Sequence, residues 1–483
     1  MSDQLSRRGS PSPRAATAAA LLVGALTGCV SRGDFAVPSP PTPLTFEATE
    51  LPPPRLDAPL TARDVLALVH ERNPSLARAR TAVEAALGGL DAAEAALLPR
   101  LSAEASYLRA DSPSAYLFKR IDSHTLPQTV DFNDPGHVQS TQGALALRWN
   151  VWDGGRARLA AWAAGSDADA ADHGAAAVAN ALSAAALTAY LDARAAGDLL
   201  AADEASVRSV ESQVAEIRTK VEGGGALRSD FLSLEVRLAE ARERKIRTGV
   251  AQRLALSALR SLLAVPVGAE VRLSPERFDP GTLPTTLPEA VAEAYHHRPD
   301  VAAARSMVES ARMRLEAAAR GDLPRLDIEG RTSSDTGDGS LNFKDPNWTV
   351  ALAISFDIFD GGANKAAVRR ARAALRDVEE ADRRALLEVE NDVETAYLRL
   401  EEARARVEVA SQAVAAGDES LSLVETQFRG GSVTVTRFLE AEGARLNART
   451  ADVSARLALE RAFVDVSRAL GRFAEPPRKE SER

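Results

Sequence analysis

Two hydrophobic periods alternate along the chain, and the change between them predicts its elements. Over residues 348–358 every second residue is apolar, and the same alternation covers residues 145–151. A period of two with one apolar face is typical of a β-strand. Weaker alternation follows the Leu-Pro-Arg-Leu sequence of each half. We therefore predict one β-hairpin in each half, over residues 100–152 and 325–359, with strands long enough to cross a bilayer when tilted.

A period of seven follows each hairpin and predicts long coiled-coil helices. The larger seams are formed by Ala186, Ala193, Leu200, Val207, Val214 and Val221 in the first half and by Val393, Leu400, Val407, Val414, Leu421 and Phe428 in the second. No proline interrupts residues 156–222. The predicted elements are long helices over 154–222 and 361–429, return helices over 226–264 and 433–472, and shorter helices over 62–98 and 288–320.

The two halves are copies of one unit, because equivalent motifs recur at two fixed spacings. Pro74 and Pro299 are 225 residues apart, whereas Asp153 and Asp360 are 207 residues apart. The first copy therefore carries 225 − 207 = 18 extra residues between these points, which we expect to lie in an exposed loop. The boundaries that follow are repeat 1 at 61–270 and repeat 2 at 271–473, between a proline-rich tether over 29–60 and a disordered tail over 474–483.

The amino-terminal residues have the features of a secretory signal peptide over 1–28. Three arginines precede the apolar run 15–26, which is too short to span a bilayer. The closing Leu-Thr-Gly-Cys29 resembles the bacterial lipobox, which implies acylation of Cys29; Val30 then implies sorting to the outer membrane. The alternative is an ordinary signal peptide with an incidental cysteine. No later stretch has about 18 uninterrupted apolar residues, so we predict no transmembrane helix in the mature chain.

Composition and charge argue against several classes of protein. The formal net charge of −9, with acids and bases interspersed, provides no basic stripe for a phosphate backbone, so nucleic acid is not an expected partner. A single cysteine excludes disulfides within the chain. The six histidines lie far apart except for the adjacent His296 and His297, which point to different sides of a helix. No catalytic constellation is recognisable, so we expect no metal site, no cofactor and no enzymatic activity.

Four strands per chain cannot close a barrel, and open sheet edges cannot face lipid, so a membrane-spanning form must be an oligomer. The apolar strand face would then meet outer-membrane lipid, and the polar face would line an aqueous lumen. That polar face comprises Arg148, Asn150, Asp327, Glu329, Arg331 and Asp357. The competing interpretation is a lipid-anchored periplasmic coiled-coil scaffold or adaptor without a pore.

An Asp-Gly-Gly sequence separates hairpin from long helix in both repeats, at Asp153, Gly154 and Gly155 and at Asp360, Gly361 and Gly362. Glycine permits a sharp change of backbone direction, and an aspartate is placed to cap the helix that follows. We predict that both motifs are strand–helix junctions. The neighbouring Trp152 and Phe359 would lie near a membrane–water boundary, where aromatic rings are favoured.

Residues 61–473 resemble the TolC-type outer-membrane efflux proteins in their duplicated order of helix, hairpin, Asp-Gly-Gly, long helix, glycine-rich tip and return helix, and the lipobox resembles the lipoprotein branch. The resemblance implies an α+β membrane protein: a homotrimer with a twelve-stranded transmembrane β-barrel, four strands per chain, continued by a periplasmic α-helical coiled-coil barrel. It also implies a periplasmic adaptor, an inner-membrane pump, and a role as exit duct for efflux or type I secretion. Drugs, solvents, metals and proteins all remain open as cargo.

The resemblance further places the periplasmic aperture and the adaptor-docking tips at Gly223, Gly224, Asp230, Ser233, Gly430, Gly431, Arg437 and Glu440. Arg437 and Glu440 occupy positions that are aspartates in the type member of the family, which argues against cation selectivity. Our hypothesis is that Asp230 and Arg437 of neighbouring coils pair in the closed state. The alternative is that both charges are simply solvated.

Overall fold

The computed structural model describes residues 58–276, 278–279, 281–337, 346–430 and 432–474. The predicted signal peptide, Cys29, most of the tether, Gly431 and nearly all of the predicted tail lie outside the described residues. Of the described residues, Asp91–Trp162 and Met313–Ala371 form one compact unit. The remaining residues, 58–90, Ala163–Arg312 and 372–474, form a second.

The described elements are mostly helical and repeat the same order in both halves. They are α1 Ala62–Arg72, α2 Pro74–Ala95, β1 Arg100–Ala110, α3 Pro113–Asp122, β2 Val138–Trp152, α4 Arg156–Glu222, α5 Arg228–Leu262, α6 Leu287–His297, α7 Pro299–Ala319, β3 Arg325–Thr336, β4 Asn347–Ser355, α8 Ala363–Arg429 and α9 Val435–Ala469. The long helices α4 and α8 both have 67 residues, and the return helices α5 and α9 both have 35. The helices α8 and α9 therefore lie 207 residues after their counterparts α4 and α5.

The predicted short helices 62–98 and 288–320 are each broken in two. Asn73 and Arg298 adopt extended backbone, with ψ of 122° and 121°, directly before Pro74 and Pro299. A proline clashes with an α-helical preceding residue, so each proline ends one helix and starts the next. Both first pieces begin with a capping box, Thr61 with Asp64 and Thr286 with Glu289.

The first unit contains a four-stranded antiparallel sheet in the order β1-β2-β3-β4. The last predicted strand is shorter than expected, because β4 ends at Ser355 although the alternation continues to Ile358. Ser355 pairs with Arg325, the first residue of β3. Pro324, the residue before Arg325, has no N–H to donate. The ladder between β3 and β4 therefore ends here, and residues 356–359 are not paired in the sheet.

The inserted segment of repeat 1 is not simply an exposed loop. It includes α3, which starts after Ser112 with a proline in its first turn and packs against β2 and β3. Tyr116 is buried, and the backbone carbonyl of Asp122 accepts a hydrogen bond from Asn347 Nδ2 at 2.8 Å. The insertion is therefore a packed helix with its own sheet contacts.

The core of the second unit is formed by apolar residues of the long helices α4 and α8 and of the helices packed against them. One apolar cluster surrounds Leu187, Tyr190 and Leu191 of α4, and another surrounds Val389 and Val393 of α8. By length and composition one described helix, α4, includes an apolar stretch that suits a membrane span. Half of that stretch is buried within the folded chain, as expected for a core helix.

Candidate functional site

One face of the sheet is apolar and open. Its large side chains alternate along β1, β2 and β4, and their exposed fractions range from 37% for Trp149 to 77% for Trp348. The set comprises Leu101, Tyr107, Leu145, Trp149, Trp348, Val350, Leu352 and Ile354. A contiguous apolar face of this kind marks a surface that meets lipid or another protein.

The opposite face of the sheet is polar and its groups are linked across strands. Arg331 Nη1 donates to Glu104 Oε2 at 2.6 Å, and Asn150 Nδ2 donates to Asp327 Oδ1 at 2.7 Å. Arg148 pairs in register with Glu329. These are residues that the sequence assigned to the lumen face, whereas Asp357 lies beyond the end of β4. Both signs of charge are therefore present along this face.

Both Asp-Gly-Gly motifs lie where a hairpin gives way to a long helix. Asp153 Oδ2 accepts a hydrogen bond from the backbone N–H of Ala157 at 2.9 Å. Asp360 accepts from the N–H groups of Asn364 and Gly362, at 2.5 and 2.7 Å. These backbone hydrogen bonds, from Asn364 first, hold the pKa of Asp360 below its usual value. Each aspartate thus satisfies backbone donors that the first helical turn leaves free.

The glycines of both junctions adopt left-handed backbone. Their φ angles are 75° at Gly154, 82° at Gly155, 67° at Gly361 and 88° at Gly362. At Gly154 there is also no space for a side chain, because a Cβ would lie 2.7 Å from Leu323 Cδ1. Trp152 and Phe359 are exposed at 47% and 89%, so both junctions carry an open aromatic ring.

At the helical tips, tight turns join long helices to return helices. Gly223 N–H donates to Thr219 O at 3.1 Å, and Gly224 has φ of 74°. In repeat 2, Gly430 N–H donates to Thr426 O at 3.1 Å. Ser233 Oγ bonds back to Ser229 O at 2.9 Å. The turns are therefore closed by local backbone hydrogen bonds.

The structure brings Arg437 next to Glu440, not to Asp230. Arg437 Nη1 lies 3.3 Å from Glu440 Oε2 one turn away, and both side chains are more than half exposed. No Asp230–Arg437 ion pair is formed within the single chain that the structure describes. This local pair forms because residues three apart on a helix are neighbours. The predicted pairing of Asp230 with Arg437 concerns neighbouring coils in the closed state, and it stays a prediction.

Several buried charged groups carry no clear signal in the sequence, and Asp335 and Glu442 are two of them. Asp335 on β3 accepts hydrogen bonds from Lys119, Ser140 and Gln142 at 2.9, 2.9 and 3.0 Å. Glu442 on α9 is 7% exposed, with Arg237 Nε 3.9 Å from its Oε2. The available signals were weak: an acid within the predicted return helix α9, and a lysine inside the inserted segment.

A hollow of about 740 Å³ beside α8 is lined by Leu283, Tyr397, Leu398, Glu401 and Phe463, among others. Tyr397 donates its hydroxyl hydrogen to Pro284 O at 3.0 Å. Across the ranges described above, no group of three or more His, Cys, Asp or Glu side chains is placed to hold a metal ion. The ordered features are thus a two-faced sheet, two junctions and two tips.

Comparison with known proteins gives three informative similarities. The chain is 26% identical over 292 residues to the outer membrane protein OprJ of Pseudomonas aeruginosa, covering 59% of this chain and 60% of OprJ. It is 25% identical over 217 residues to the pyoverdine export outer membrane protein OpmQ of the same organism, covering 45% and 46%. The chain thus spans about half the length of these curated relatives.

The fold is also similar to that of a solved structure, the open state of the MtrE outer membrane channel of Neisseria gonorrhoeae. The TM-score is 0.72 at 22% identity, covering 85% of this chain and 88% of MtrE. A family model described as "Outer membrane efflux protein" matches residues 65–265 and 290–472, well over half of the sequence. The chain belongs to the outer membrane efflux protein family.

Proposed function

We propose that this protein is the outer-membrane exit duct of a tripartite efflux or type I secretion system, a passive channel and not an enzyme. One observation carries the proposal: a four-stranded sheet with an exposed apolar face is joined to helices of 67 residues. A water-soluble helical scaffold has no use for such a face, because exposed apolar area of this size drives association.

The unpaired edges of β1 and β4 are the reason for proposing an oligomer. β1 and β4 each pair on one side in the described chain. Backbone groups cannot stay unsatisfied in lipid, so each edge needs a strand from another copy. In the proposed homotrimer three sheets of four strands supply a twelve-stranded β-barrel, with the Glu104–Arg331 face lining the lumen. The helices continue it as a periplasmic α-helical barrel.

The ends of the molecule take further roles in this proposal. Acylation of Cys29 anchors the mature chain to the outer membrane. The tips around Gly223, Gly224, Asp230 and Ser233, and their counterparts Gly430, Gly431, Arg437 and Glu440, form the aperture and dock a periplasmic adaptor that couples the duct to an inner-membrane pump. Small molecules such as drugs, solvents or metals, or proteins, pass without chemical change.

The test uses a matched pair of arginine substitutions in the full chain. Val350 lies on the apolar face, whereas Ala351 lies on the polar face opposite Glu329. Val350→Arg should destabilise the membrane-embedded barrel by about 2–4 kcal/mol, as expected for arginine at the middle of a lipid-facing strand. The variant should therefore give less oligomer. Ala351→Arg should assemble like the unmodified chain, because its side chain points into water beside an acid. The readout is the heat-stable oligomer in purified outer membranes.

Conductance of the purified unmodified chain in planar bilayers completes the test. Discrete channels from a heat-stable oligomer with β-sheet signal support the duct. A monomeric, purely helical product without conductance, in which both arginine variants behave alike, would favour the lipid-anchored scaffold instead.

A further inference from the structure

Inside the chain, the long helix of repeat 1 packs against the return helix of repeat 2. Arg194 and Asp192 of α4 form ion pairs with Glu460 and Arg461 of α9. The side chains of Arg194 and Glu460 are 15% and 11% exposed. Leu457 of α9 packs against the apolar cluster that contains Leu191 of α4. This contact between α4 and α9 is therefore both charged and apolar.

Because of the duplication, α8 and α5 carry surfaces equivalent to those of α4 and α9, but these surfaces are exposed. Adding 207 residues relates α4 to α8, and subtracting 207 relates α9 to α5. Leu191 is fully buried, but its counterpart Leu398 on α8 is 60% exposed. Leu457 is partly buried, whereas its counterpart on α5 is Val250, 40% exposed. Val250 belongs to an exposed apolar row on α5 with Ile246 and Leu254, at 70% and 66%.

The two residues of the Arg194–Glu460 ion pair have counterparts of opposite charge on these exposed surfaces. The counterpart of Arg194 is Glu401 on α8, and the counterpart of Glu460 is Arg253 on α5. Both side chains are exposed. Within the described ranges neither has an ion pair or a side-chain hydrogen bond, in contrast to Arg194 and Glu460. The exposed face of α8 therefore carries an acid, Glu401, and the exposed face of α5 carries a base, Arg253.

We propose that α8 of one copy packs against α5 of the next copy, with Glu401 paired to Arg253 of the partner subunit. This contact reproduces between copies the packing of α4 against α9 within the chain. It rests on the proposed trimeric duct and specifies how its helical wall closes. The neighbouring internal pair is not reproduced, since Asp192 and Arg461 correspond to Arg399 and Leu254. At that level Leu254 of the partner subunit contributes apolar contact.

The exchanged charges also determine which repeats can meet. If α4 met α5 of another copy, Arg194 would face Arg253. If α8 met α9 of another copy, Glu401 would face Glu460. Like charges at a partly desolvated contact are strongly unfavourable. The exchanged charges therefore favour alternation of the two repeats around the ring and disfavour contacts between like repeats.

Cysteine cross-linking of the full chain tests the contact directly. The double variant Glu401→Cys/Arg253→Cys should form dimers and covalent trimers on mild oxidation. Each single variant is the matched control, and because both retain Cys29 they also report any cross-linking through that residue. A trimer that gives no ladder in the double variant would overturn the pairing while leaving the proposed duct intact. A monomeric chain would overturn both.

Charge reversal tests the exchange of signs. Glu401→Arg and Arg253→Glu should each lower the fraction of detergent-stable trimer about tenfold, since each α8–α5 contact between copies then holds like charges. The double variant Glu401→Arg/Arg253→Glu should recover the trimer, because opposite charges face one another again. Loss in the double variant equal to the sum of the single losses would overturn the proposal.

Discussion

Lys119 Nζ lies 2.9 Å from Asp335 Oδ1 and ties the inserted helix α3 to strand β3. The aspartate side chain is 1% exposed and the lysine is 22% exposed. Asp335 is on the polar face of the sheet, since its neighbour in register is Gln142. In the proposed duct, α3 therefore lies inside the lumen at the end of the strands remote from the junctions.

We predict that Lys119→Met widens this end of the duct. The substitution keeps most of the apolar stem but leaves the buried Asp335 carboxylate without its cation, which should cost about 2 kcal/mol after allowance for the partial exposure of the lysine. Release of α3 should raise single-channel conductance in planar bilayers. Lys119→Arg, which keeps the charge, is the control. Unchanged conductance of Lys119→Met would show that α3 does not narrow the lumen.

The long helices were predictable because their pattern is local and sustained. A heptad seam runs from Ala186 to Val221, no proline interrupts residues 156–222, and the observed helix α4 covers that range. The Asp153 cap was equally accessible, since the aspartate bonds to an N–H four residues away. Such short-range features depend on few degrees of freedom, so sequence spacing is enough to define them.

Contacts distant in sequence could not be predicted in this way. Lys119 and Asp335 are 216 residues apart, and no periodicity identifies a ten-residue helix such as α3. The signal that sequence analysis overlooked is Pro113, which follows Ser112 in the position where prolines start helices. Within the chain Arg437 pairs with Glu440 one turn away. Its predicted pairing with Asp230 across neighbouring coils is a long-range contact and stays a prediction.

Gly154→Ala should destabilise the first junction more than Gly361→Ala destabilises the second. Both residues have left-handed backbone, which costs alanine about 1–2 kcal/mol. At Gly154 the added Cβ also meets Leu323 Cδ1 at 2.7 Å, whereas at Gly361 no heavy atom lies within 4 Å. The comparison of thermal unfolding isolates the clash, expected to add about 1–3 kcal/mol. Equal losses for the two variants would mean that Leu323 moves aside freely.

Arg298→Met should loosen the turn between α6 and α7. Arg298 is 9% exposed and donates to Asp300 at 2.6 and 3.0 Å and to Asp392 at 2.9 Å. Methionine leaves Asp300 without its guanidinium and leaves Asp392 with only the longer ion pair to Arg468, at 3.5 Å. The expected cost is about 2 kcal/mol in urea unfolding. Arg298→Lys keeps the charge but not the fork of donors, so an intermediate loss is expected.

This loss should also depend on pH. Burial opposes ionisation of Asp300, but the hydrogen bonds and charge of Arg298 outweigh it and hold the pKa of Asp300 below its usual value. A lowered pKa of an acid stabilises the fold above the pKa of the unfolded chain, and this stability is lost as pH falls through the lower folded value. The difference between Arg298→Met and the unmodified chain should therefore shrink under strongly acidic conditions. A constant difference across that range would contradict the assignment.

Glu442→Gln should stabilise the protein at neutral pH. Burial raises the pKa of Glu442, and the charges of Arg237, Arg244 and Arg445 offset this only in part. Neither Glu442 Oε2 nor Arg237 Nε has a hydrogen-bond partner, so the ionised carboxylate is poorly satisfied. A neutral amide of the same shape removes this penalty, which is about 1 kcal/mol for an unsatisfied buried group.

The pH dependence distinguishes burial of Glu442 from a stabilising ion pair with Arg237. An acid whose pKa is raised on folding contributes its full stability below the pKa of the unfolded chain and loses it as pH rises through the folded pKa. The gain from Glu442→Gln should therefore be present at neutral pH and vanish in acid, where Glu442 is protonated as well. Asp418→Asn is the matched control, because Arg445 and Arg449 hold the pKa of Asp418 below its usual value. That variant should lose stability at neutral pH, and a parallel loss in Glu442→Gln would mean that the arginines outweigh burial.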